Sequence, residues 1–243
     1  MALPNFLKPK HSYSLKRIGS NNDGGYLVGK NSLKKANCLI SFGINDDWSF
    51  ELSLKKIRNN ISIFCYDDQL CFKFLLKNFI IQLILVFSNC NFNLLKNRLN
   101  VLITYFFFLG KVNYCKKRIN NKNFNKIFFK KKNILLKIDI EGSEYRILDK
   151  IIKIQNKLEG LIIEFHEVHL NIKRIKKFVK QLKLKLIHTH GNNFGKLDNF
   201  NDPTLLELTF EKNSSILDNN PKFPNFLDNP NNKKKIDLIL KFI

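Results

Sequence analysis

The stretch that decides the fold reads Ile134-Leu135-Leu136-Lys137-Ile138-Asp139-Ile140-Glu141-Gly142-Ser143-Glu144-Tyr145. Its β-branched apolar run ends in two carboxylates and a glycine and then passes into a helical pattern. Buried parallel strands have this form where they deliver polar groups to a ligand crevice. Because side chains alternate along a strand, we expect Asp139 and Glu141 to point to one face. The stretch therefore predicts a crevice wall that carries two acids.

The length and cysteine content predict one α/β domain in a reducing compartment. A chain of 243 residues can bury a sizeable core without disulfides. Its five cysteines are odd in number and form no CxxC pair, so neither a disulfide framework nor a zinc ribbon is predicted. No basic segment followed by an apolar core opens the chain, so no signal peptide is predicted. We expect a cytoplasmic protein, with peripheral membrane contact as an alternative.

The formal net charge of +22 is typical of proteins that bind nucleic acid or an anionic membrane surface. A second explanation is compositional, since Lys, Asn, Ile and Phe are used heavily throughout, as an AT-rich genome would favour. The lysines occur in every segment of the chain instead of gathering on one element. Charge alone therefore does not identify a partner.

Apolar strand patterns alternate with helical patterns, which predicts a mostly parallel sheet with helices on both faces. Five of the strand patterns end in a glycine or in polar side chains. Because the carboxyl ends of parallel strands meet at one edge of a sheet, we expect these residues to form a single rim. They are Gly43, Asp67, Asp139 with Glu141, Glu164 with His166, and His188 with His190.

Three regions follow from the pattern. Residues 1–37 form an N-terminal extension, in which the turn signal Asp23-Gly24-Gly25 predicts a hairpin. Residues 38–211 form the main domain, with a helical insertion at about 71–132. Residues 212–243 are a tail rich in proline and asparagine, with a short lysine-rich helix expected near its end.

The insertion contains two apolar runs, 79–87 and 101–109, that are far shorter than the ~20 residues a membrane-spanning helix needs. Three interpretations remain open. The helices could bury a small core of their own, cover the crevice as a cap, or lie on a membrane surface with basic residues at their flanks.

Several motifs along the chain form a recognisable set. They are Arg17-Ile18-Gly19, Asp23-Gly24-Gly25-Tyr26, Ser41-Phe42-Gly43, Leu136-Lys137-Ile138-Asp139-Ile140-Glu141-Gly142-Ser143-Glu144-Tyr145, Ile163-Glu164-Phe165-His166 and His188-Thr189-His190-Gly191-Asn192-Asn193. Together they resemble the FkbM-type methyltransferase family, over about residues 13–211 apart from 71–132. The resemblance implies an S-adenosylmethionine-dependent methyltransferase with a Rossmann-like class I fold, in which the last of seven strands is antiparallel. It also implies O-methylation of a sugar, glycan or other small hydroxyl acceptor.

The same resemblance implies roles for the predicted cofactor-binding residues. Gly43 would lie beside the methionine part of S-adenosylmethionine, and Asp67 would hold its ribose. Asp139 and Glu141 would stand between the cofactor and the acceptor.

Methyl transfer to a hydroxyl also requires removal of a proton, and carboxylates and histidines at the rim are the candidate bases. We consider Asp139, His166 and His188 as catalytic residues, with the histidines favoured because imidazole titrates near neutrality. Alternatively, a divalent metal held by Glu164, His166 and His188 would acidify the acceptor hydroxyl.

Two other classes of function stay open. The charge suits a nucleic-acid methyltransferase or RNA-binding protein, although the chain has no Asn/Asp-Pro-Pro-aromatic motif for a flipped base. The reduced glycine loop and the apolar insertion suit a non-catalytic, membrane-associated binding module.

Overall fold

The computed structural model describes residues 3–89 and 92–243. Its strands are β1 Ser12–Tyr13, β2 Leu15–Ile18, β3 Tyr26–Gly29, β4 Cys38–Phe42, β5 Ser62–Asp67, β6 Asn113–Lys116, β7 Ile134–Ile138, β8 Leu158–Phe165, β9 Lys185–Gly191, β10 Leu206–Glu211 and β11 Ile216–Asp218. Its α-helices are α1 Lys30–Lys35, α2 Ser49–Ile57, α3 Phe72–Asn89, α4 Phe92–Leu109, α5 Phe124–Ile127, α6 Leu148–Ile154 and α7 Val168–Gln181. Short 3-10 turns lie at Asn5–Leu7, Glu144–Arg146 and Gln155–Lys157.

The central sheet has seven strands in the order β6-β5-β4-β7-β8-β10-β9. Strand β10 runs antiparallel to both of its neighbours, and the other pairings are parallel. The predicted fold class is confirmed: this is a Rossmann-like α/β fold with a mostly parallel seven-stranded sheet whose last strand in the chain is antiparallel. Parallel order brings the carboxyl ends of β4, β5, β6 and β7 to one edge.

The sheet is buried on both faces, which explains the nearly continuous apolar runs in its central strands. Alternate side chains of β4 enter different clusters. Ile40 and Phe42 pack in one core on one face, whereas Leu39 packs in a second core on the other. Helix α7 contributes Ile175 and Phe178 to the first core, and α2 contributes Phe50 and Leu54 to the second.

The N-terminal hairpin is present, since β2 and β3 pair antiparallel around the predicted turn. Within the predicted insertion, however, Asn113–Lys116 is a strand of the central sheet. It was missed because this edge strand pairs only with β5 and its side chains are mostly exposed, so no apolar alternation marks it. The predicted helices of the insertion are α3 and α4, and no described helix combines the length and apolarity needed to cross a bilayer.

The expected lysine-rich helix near residue 235 is wrong, because residues 219–243 contain no helix. The tail instead runs along the sheet edge. Asn193 Nδ2 lies 3.2 Å from the backbone carbonyl oxygens of Asn232 and Ile236. This side chain from the main domain donates hydrogen bonds to carbonyl groups that would accept from backbone N–H groups in a helix. The end of the tail meets the start of the described chain, where Leu3 N donates to Lys241 O at 2.8 Å.

Candidate active site

A cavity of about 520 Å³ lies at the carboxyl ends of β4, β5, β6 and β7. Four sequence-predicted cofactor-binding residues line it, namely Gly43, Asp67, Asp139 and Glu141. Ligand crevices of open α/β sheets lie at this edge, and the volume is within the range of small-molecule sites. The structure therefore brings these four residues together.

Gly43 forms the floor of the cavity where β4 and β7 end side by side. Its φ is +76°, and a side chain there would overlap the carbonyl oxygen of Asp139. Backbone hydrogen bonds continue past the strand ends, from Asp139 N to Phe42 O at 2.9 Å and from Gly43 N to Tyr66 O at 3.1 Å. Only glycine fits at this position, because the backbone there is left-handed and lies directly against the backbone of Asp139.

Asp67 ties two loops together. Its Oδ2 accepts hydrogen bonds from the backbone N–H groups of Ile44 and Asn45, each at 2.9 Å. Its Oδ1 accepts from those of Gln69 and Leu70, each at 2.8 Å. Burial raises the pKa of Asp67, but the four donors outweigh burial and leave its pKa below the ordinary value. The carboxylate thus holds the turn after β4 against the turn after β5.

The next residue, Asp68, also lines the cavity and has no such network. Its side chain is 45% exposed, and its Oδ2 lies 3.9 Å from Arg118 Nε, which is a loose, solvated pair. Two consecutive acids at the end of β5 therefore differ in availability. Asp68, and not Asp67, has a carboxylate open to a ligand.

A buried ion pair supports the glycine turn from below. Lys137 Nζ donates to the carbonyl oxygen of Gly43 at 3.2 Å and lies 4.0 Å from Glu51 Oε1, which also accepts from Ser41 Oγ at 2.6 Å. Burial lowers the pKa of Lys137, but the charges of Glu51 and Asp139 outweigh it and raise the pKa. Sequence reasoning missed this pair, although a lysine inside an apolar strand was a visible signal.

His166 lies among three carboxylates. Its Nε2 is 3.2 Å from Glu141 Oε2 and 4.0 Å from Asp139 Oδ1, and its Nδ1 is 3.3 Å from Glu144 Oε1. Burial lowers the pKa of His166, but hydrogen bonds to Glu141 and Glu144 outweigh it and raise the pKa to about 11. The side chain is therefore an imidazolium at neutral pH. The reason for favouring it as a base, an unperturbed pKa near neutrality, does not hold at this position.

Asp139 lies between this cluster and the cavity. Burial raises the pKa of its carboxyl group, and the nearby positive charges of Lys137 and His166 offset this only in part. The hydroxyl of Tyr26 donates to Asp139 Oδ2 at 3.1 Å. A fixed carboxylate with a raised pKa at a cavity wall has the properties of a general base.

The prediction that His188 lies on the same rim is wrong. His188 is buried, and its Nε2 lies 2.9 Å from Asp228 Oδ1 in the tail. Burial and then the charge of His190 lower the pKa of His188 to about 3. The physical reason for its position is that β9 pairs only with β10, at the far edge of the sheet from β4 and β5, and the tail covers its outer side.

Glu164 is buried in β8 and does not line the cavity. Its Oε1 accepts from Asn192 Nδ2 at 2.9 Å, and burial raises its pKa well above the ordinary value. The predicted metal set of Glu164, His166 and His188 is therefore not assembled. Among the described residues, the group with ligand atoms within 4.8 Å of one another is Asp139, Glu141 and His166.

The tail holds the hairpin turn that forms one wall of the cavity. Asp23 and Gly24 line the cavity, and Asp23 N donates to Asn231 O at 3.2 Å. Asn22 Nδ2 donates to Pro230 O at 2.9 Å, and Asn231 Nδ2 donates to Glu207 Oε1 at 2.6 Å. The tail thus links the turn of the N-terminal hairpin to β10 of the central sheet, because Asn231 contacts both Asp23 and Glu207.

The charge of the cavity is opposite to that of the whole chain. Although the net charge of the protein is +22, seven carboxylates and three basic side chains line the cavity. Such a site favours neutral or cationic ligands and opposes polyanions. The acids are Asp23, Asp46, Asp47, Asp67, Asp68, Asp139 and Glu141, and the bases are Lys117, Arg118 and Lys137.

No protein-family model matches the chain, and no curated protein sequence matches it. Solved structures do. Fibrillarin, a pre-rRNA processing protein from Methanococcus jannaschii, matches at 10% identity over 82% of this chain and 83% of its own, with a TM-score of 0.41. M. jannaschii TYW2 in complex with AdoMet matches at 11% identity over 82% and 87% of the two chains, with a TM-score of 0.36.

A third similar structure is the precorrin-6y C5,15-methyltransferase from Geobacter metallireducens GS-15. It matches at 10% identity over 75% of this chain and 86% of its own, with a TM-score of 0.38. These are similarities of fold, at 10–11% identity.

Proposed function

We propose that the protein is an S-adenosylmethionine-dependent methyltransferase that methylates a hydroxyl group of a sugar, glycan or other small molecule. The observation that carries this proposal is the cavity at the carboxyl ends of β4, β5, β6 and β7. Gly43 lies at its floor, and acidic residues line it at the end of β5. The motif resemblance to the FkbM-type family also supports the proposal, and it is the reason for proposing a hydroxyl group as the methyl acceptor.

The residues present fit the cofactor. The donor set is acidic, which suits the positive sulfonium and ammonium groups of S-adenosylmethionine. The open carboxylate of Asp68 can accept hydrogen bonds from a ribose diol, whereas the oxygens of Asp67 already accept four backbone N–H groups. We therefore assign the ribose contact to Asp68 and a loop-fixing role to Asp67. When bound, the cofactor supplies an electrophilic methyl group.

In this proposal Asp139 is the catalytic base. Its carboxylate would take the proton that the acceptor hydroxyl loses while the oxygen of that hydroxyl gains the methyl group and the carbon–sulfur bond breaks. Tyr26 fixes the orientation of Asp139 through its hydrogen bond. His166 is a positioning residue, because as an imidazolium it holds Glu141 and Glu144 and has no free site for a proton.

A nucleic-acid substrate is the second candidate, and the positive charge of the chain favours it. The acidic cavity opposes it, because the phosphates on either side of a flipped nucleotide would meet the carboxylates at the rim. A small neutral acceptor avoids this repulsion, which is why the hydroxyl acceptor is preferred.

The assignment of the two acids after β5 can be tested by calorimetry with S-adenosylhomocysteine. We expect Asp68→Asn to weaken binding about 10–100-fold with unchanged thermal stability, because it removes a charged hydrogen-bond acceptor from the ligand. We expect Asp67→Asn to lower the free energy of unfolding by roughly 2–3 kcal/mol, because an amide NH₂ cannot accept from backbone N–H groups.

Opposite results would return the ribose contact to Asp67: weaker binding in a stable Asp67→Asn protein, with no effect of Asp68→Asn. Absence of any binding by the wild-type protein at millimolar ligand would refute the cofactor, and with it the proposed enzyme.

The role of Asp139 can be tested by Asp139→Asn. We expect kcat to fall about 10²–10⁴-fold, as for loss of a general base, while S-adenosylhomocysteine binding persists. The measurement is transfer of labelled methyl to a panel of monosaccharides and glycosides, using an acceptor that the wild-type protein methylates. In the wild type, kcat should rise with pH through the raised pKa of Asp139 and then level off.

Tyr26→Phe is the matched control, since it keeps the carboxylate and removes only one hydrogen bond to it. We expect its kcat to fall much less than that of Asp139→Asn. Full activity of Asp139→Asn would exclude Asp139 as the base.

A further inference from the structure

Helices α3 and α4 pack on each other as a hairpin that leaves an apolar surface uncovered. Twelve large apolar side chains of this hairpin are 37–67% exposed, half of the 24 such side chains among the described residues. Exposed apolar side chains gathered on one pair of helices are typical of an interaction site. The most exposed members include Ile84, Phe92, Ile103, Phe106 and Phe107.

The charged side chains of the hairpin and of the residues that flank it in the sequence are all basic. Residues 69–138 contain 14 Lys or Arg and no Asp or Glu, so all 20 acids of the chain lie outside this segment. Lys73, Lys77 and Lys96 are exposed on the helices, and further basic residues follow α4 directly. The hairpin and its flanking residues therefore combine exposed apolar side chains with basic ones and contribute no acidic side chain, although Asp46 pairs with Arg98 and Asp68 lies 3.9 Å from Arg118.

We propose that this hairpin docks on the surface of an anionic lipid bilayer. Its exposed isoleucines and phenylalanines would enter the boundary between headgroups and acyl chains, and its lysines would contact anionic headgroups. Interfacial helices combine these two features, because apolar side chains leave water at the interface and basic side chains are attracted to anionic headgroups.

The charge pattern decides against two other occupants of this face. A second copy of the chain would bring two acid-free segments together, and their like charges would repel. An RNA would meet the lysines but would gain nothing from exposed aliphatic groups such as Ile84 and Ile103. A bilayer with anionic lipids satisfies both the apolar and the basic part of the surface.

Two contacts connect the hairpin to residues at the cavity. The ring of Trp48 stacks on that of Phe108 in α4 at 4.9 Å between centroids, and Arg98 of α4 pairs with Asp46, which lines the cavity. Docking would thus hold the cavity beside the membrane surface, where an acceptor carried on a lipid is within reach. Membrane binding itself does not depend on the proposed methyl transfer.

The proposal can be tested by co-sedimentation of the full chain with vesicles. We expect binding to vesicles of phosphatidylcholine with phosphatidylglycerol, little binding to pure phosphatidylcholine, and weaker binding at high salt. The double variant Ile103→Ser/Phe106→Ser should bind the anionic vesicles at least about tenfold more weakly, because it removes apolar contact without changing charge.

Phe226→Ser/Ile236→Ser is the matched control, since these tail side chains are 84% and 90% exposed and lie outside the hairpin. We expect its vesicle binding to equal that of the wild type. Circular dichroism and S-adenosylhomocysteine binding in solution show whether each variant is folded, and they report on the proposed enzyme separately from membrane binding.

Three results would overturn the proposal. The first is equal binding of the wild type and Ile103→Ser/Phe106→Ser to anionic vesicles. The second is a dimer in light scattering that this variant dissociates, which would make the face a contact between copies. The third is an RNA mobility shift that the variant abolishes while vesicle binding is absent from both proteins.

Discussion

Gly43→Ala is expected to disrupt the native structure around the cavity and to lower the free energy of unfolding by more than about 4 kcal/mol. The added methyl group would overlap the carbonyl oxygen of Asp139, which is fixed by the adjoining strand. The φ of +76° is also unfavourable for alanine. Relief would require β4 and β7 to separate where they end. Urea denaturation measures the loss, and calorimetry should detect no S-adenosylhomocysteine binding.

Gly142→Ala is the matched control. This glycine also has a left-handed backbone, with φ of +84°, but a Cβ there would meet nothing within 4 Å. We expect a loss of only about 1 kcal/mol, from backbone strain alone. Equal losses in the two variants would show that backbone conformation, and not the overlap with Asp139, makes glycine necessary at position 43.

His166→Gln is expected to lower the free energy of unfolding by about 3–5 kcal/mol near neutral pH. The imidazolium has a 13% exposed side chain and offsets three carboxylates, one of which, Glu144, is fully buried. Removal of one partner from such a group leaves uncompensated buried charge. Glutamine keeps a hydrogen-bond donor and lacks the charge, so the loss reports on charge. Denaturation of the two proteins in urea measures it.

The same comparison has a defined pH dependence. The pKa of His166 rises from 6.5 in the unfolded chain to about 11 in the folded protein, so its stabilisation is fully present below pH 6.5. It is lost progressively as the pH rises towards about 11, because the unfolded chain then binds fewer protons. We expect the difference in stability between wild type and His166→Gln to shrink across this window.

His190, whose pKa is raised to about 10, is present in both proteins and cancels from the difference. A difference that stays constant or grows with pH would mean that His166 is neutral in the folded protein.

The positions of Asp139 and Glu141 show how far the sequence leads. Strand alternation predicted that both side chains share one wall, and both do line the cavity. The reason differs, however, since β7 ends at Ile138 and Glu141 has a left-handed backbone with φ of 50°. A tight turn, which a period of two residues cannot describe, aims Glu141 at His166.

The residues that sequence reasoning misplaced have partners far away in the chain. His188 has the same parity as other rim residues, but Asp228, 40 residues later, holds it in the interior. Glu51 on α2 and Lys137 on β7 are 86 positions apart. They meet because β4, which precedes α2, pairs with β7, and α2 packs on that face of the two strands. Local sequence patterns predict where strands lie and which side chains are buried. Side-chain pairs such as His188 with Asp228 depend on how distant elements pack, which those patterns do not show.

The contact between the tail and the N-terminal hairpin sets an order of assembly during translation. Asn231 and Asp23 are 208 positions apart, so this contact cannot form until Asn231 has left the ribosome. The seven strands of the central sheet are all synthesised by Glu211, before that contact is possible. A nascent chain can therefore complete its sheet first and fix the hairpin turn beside the cavity afterwards.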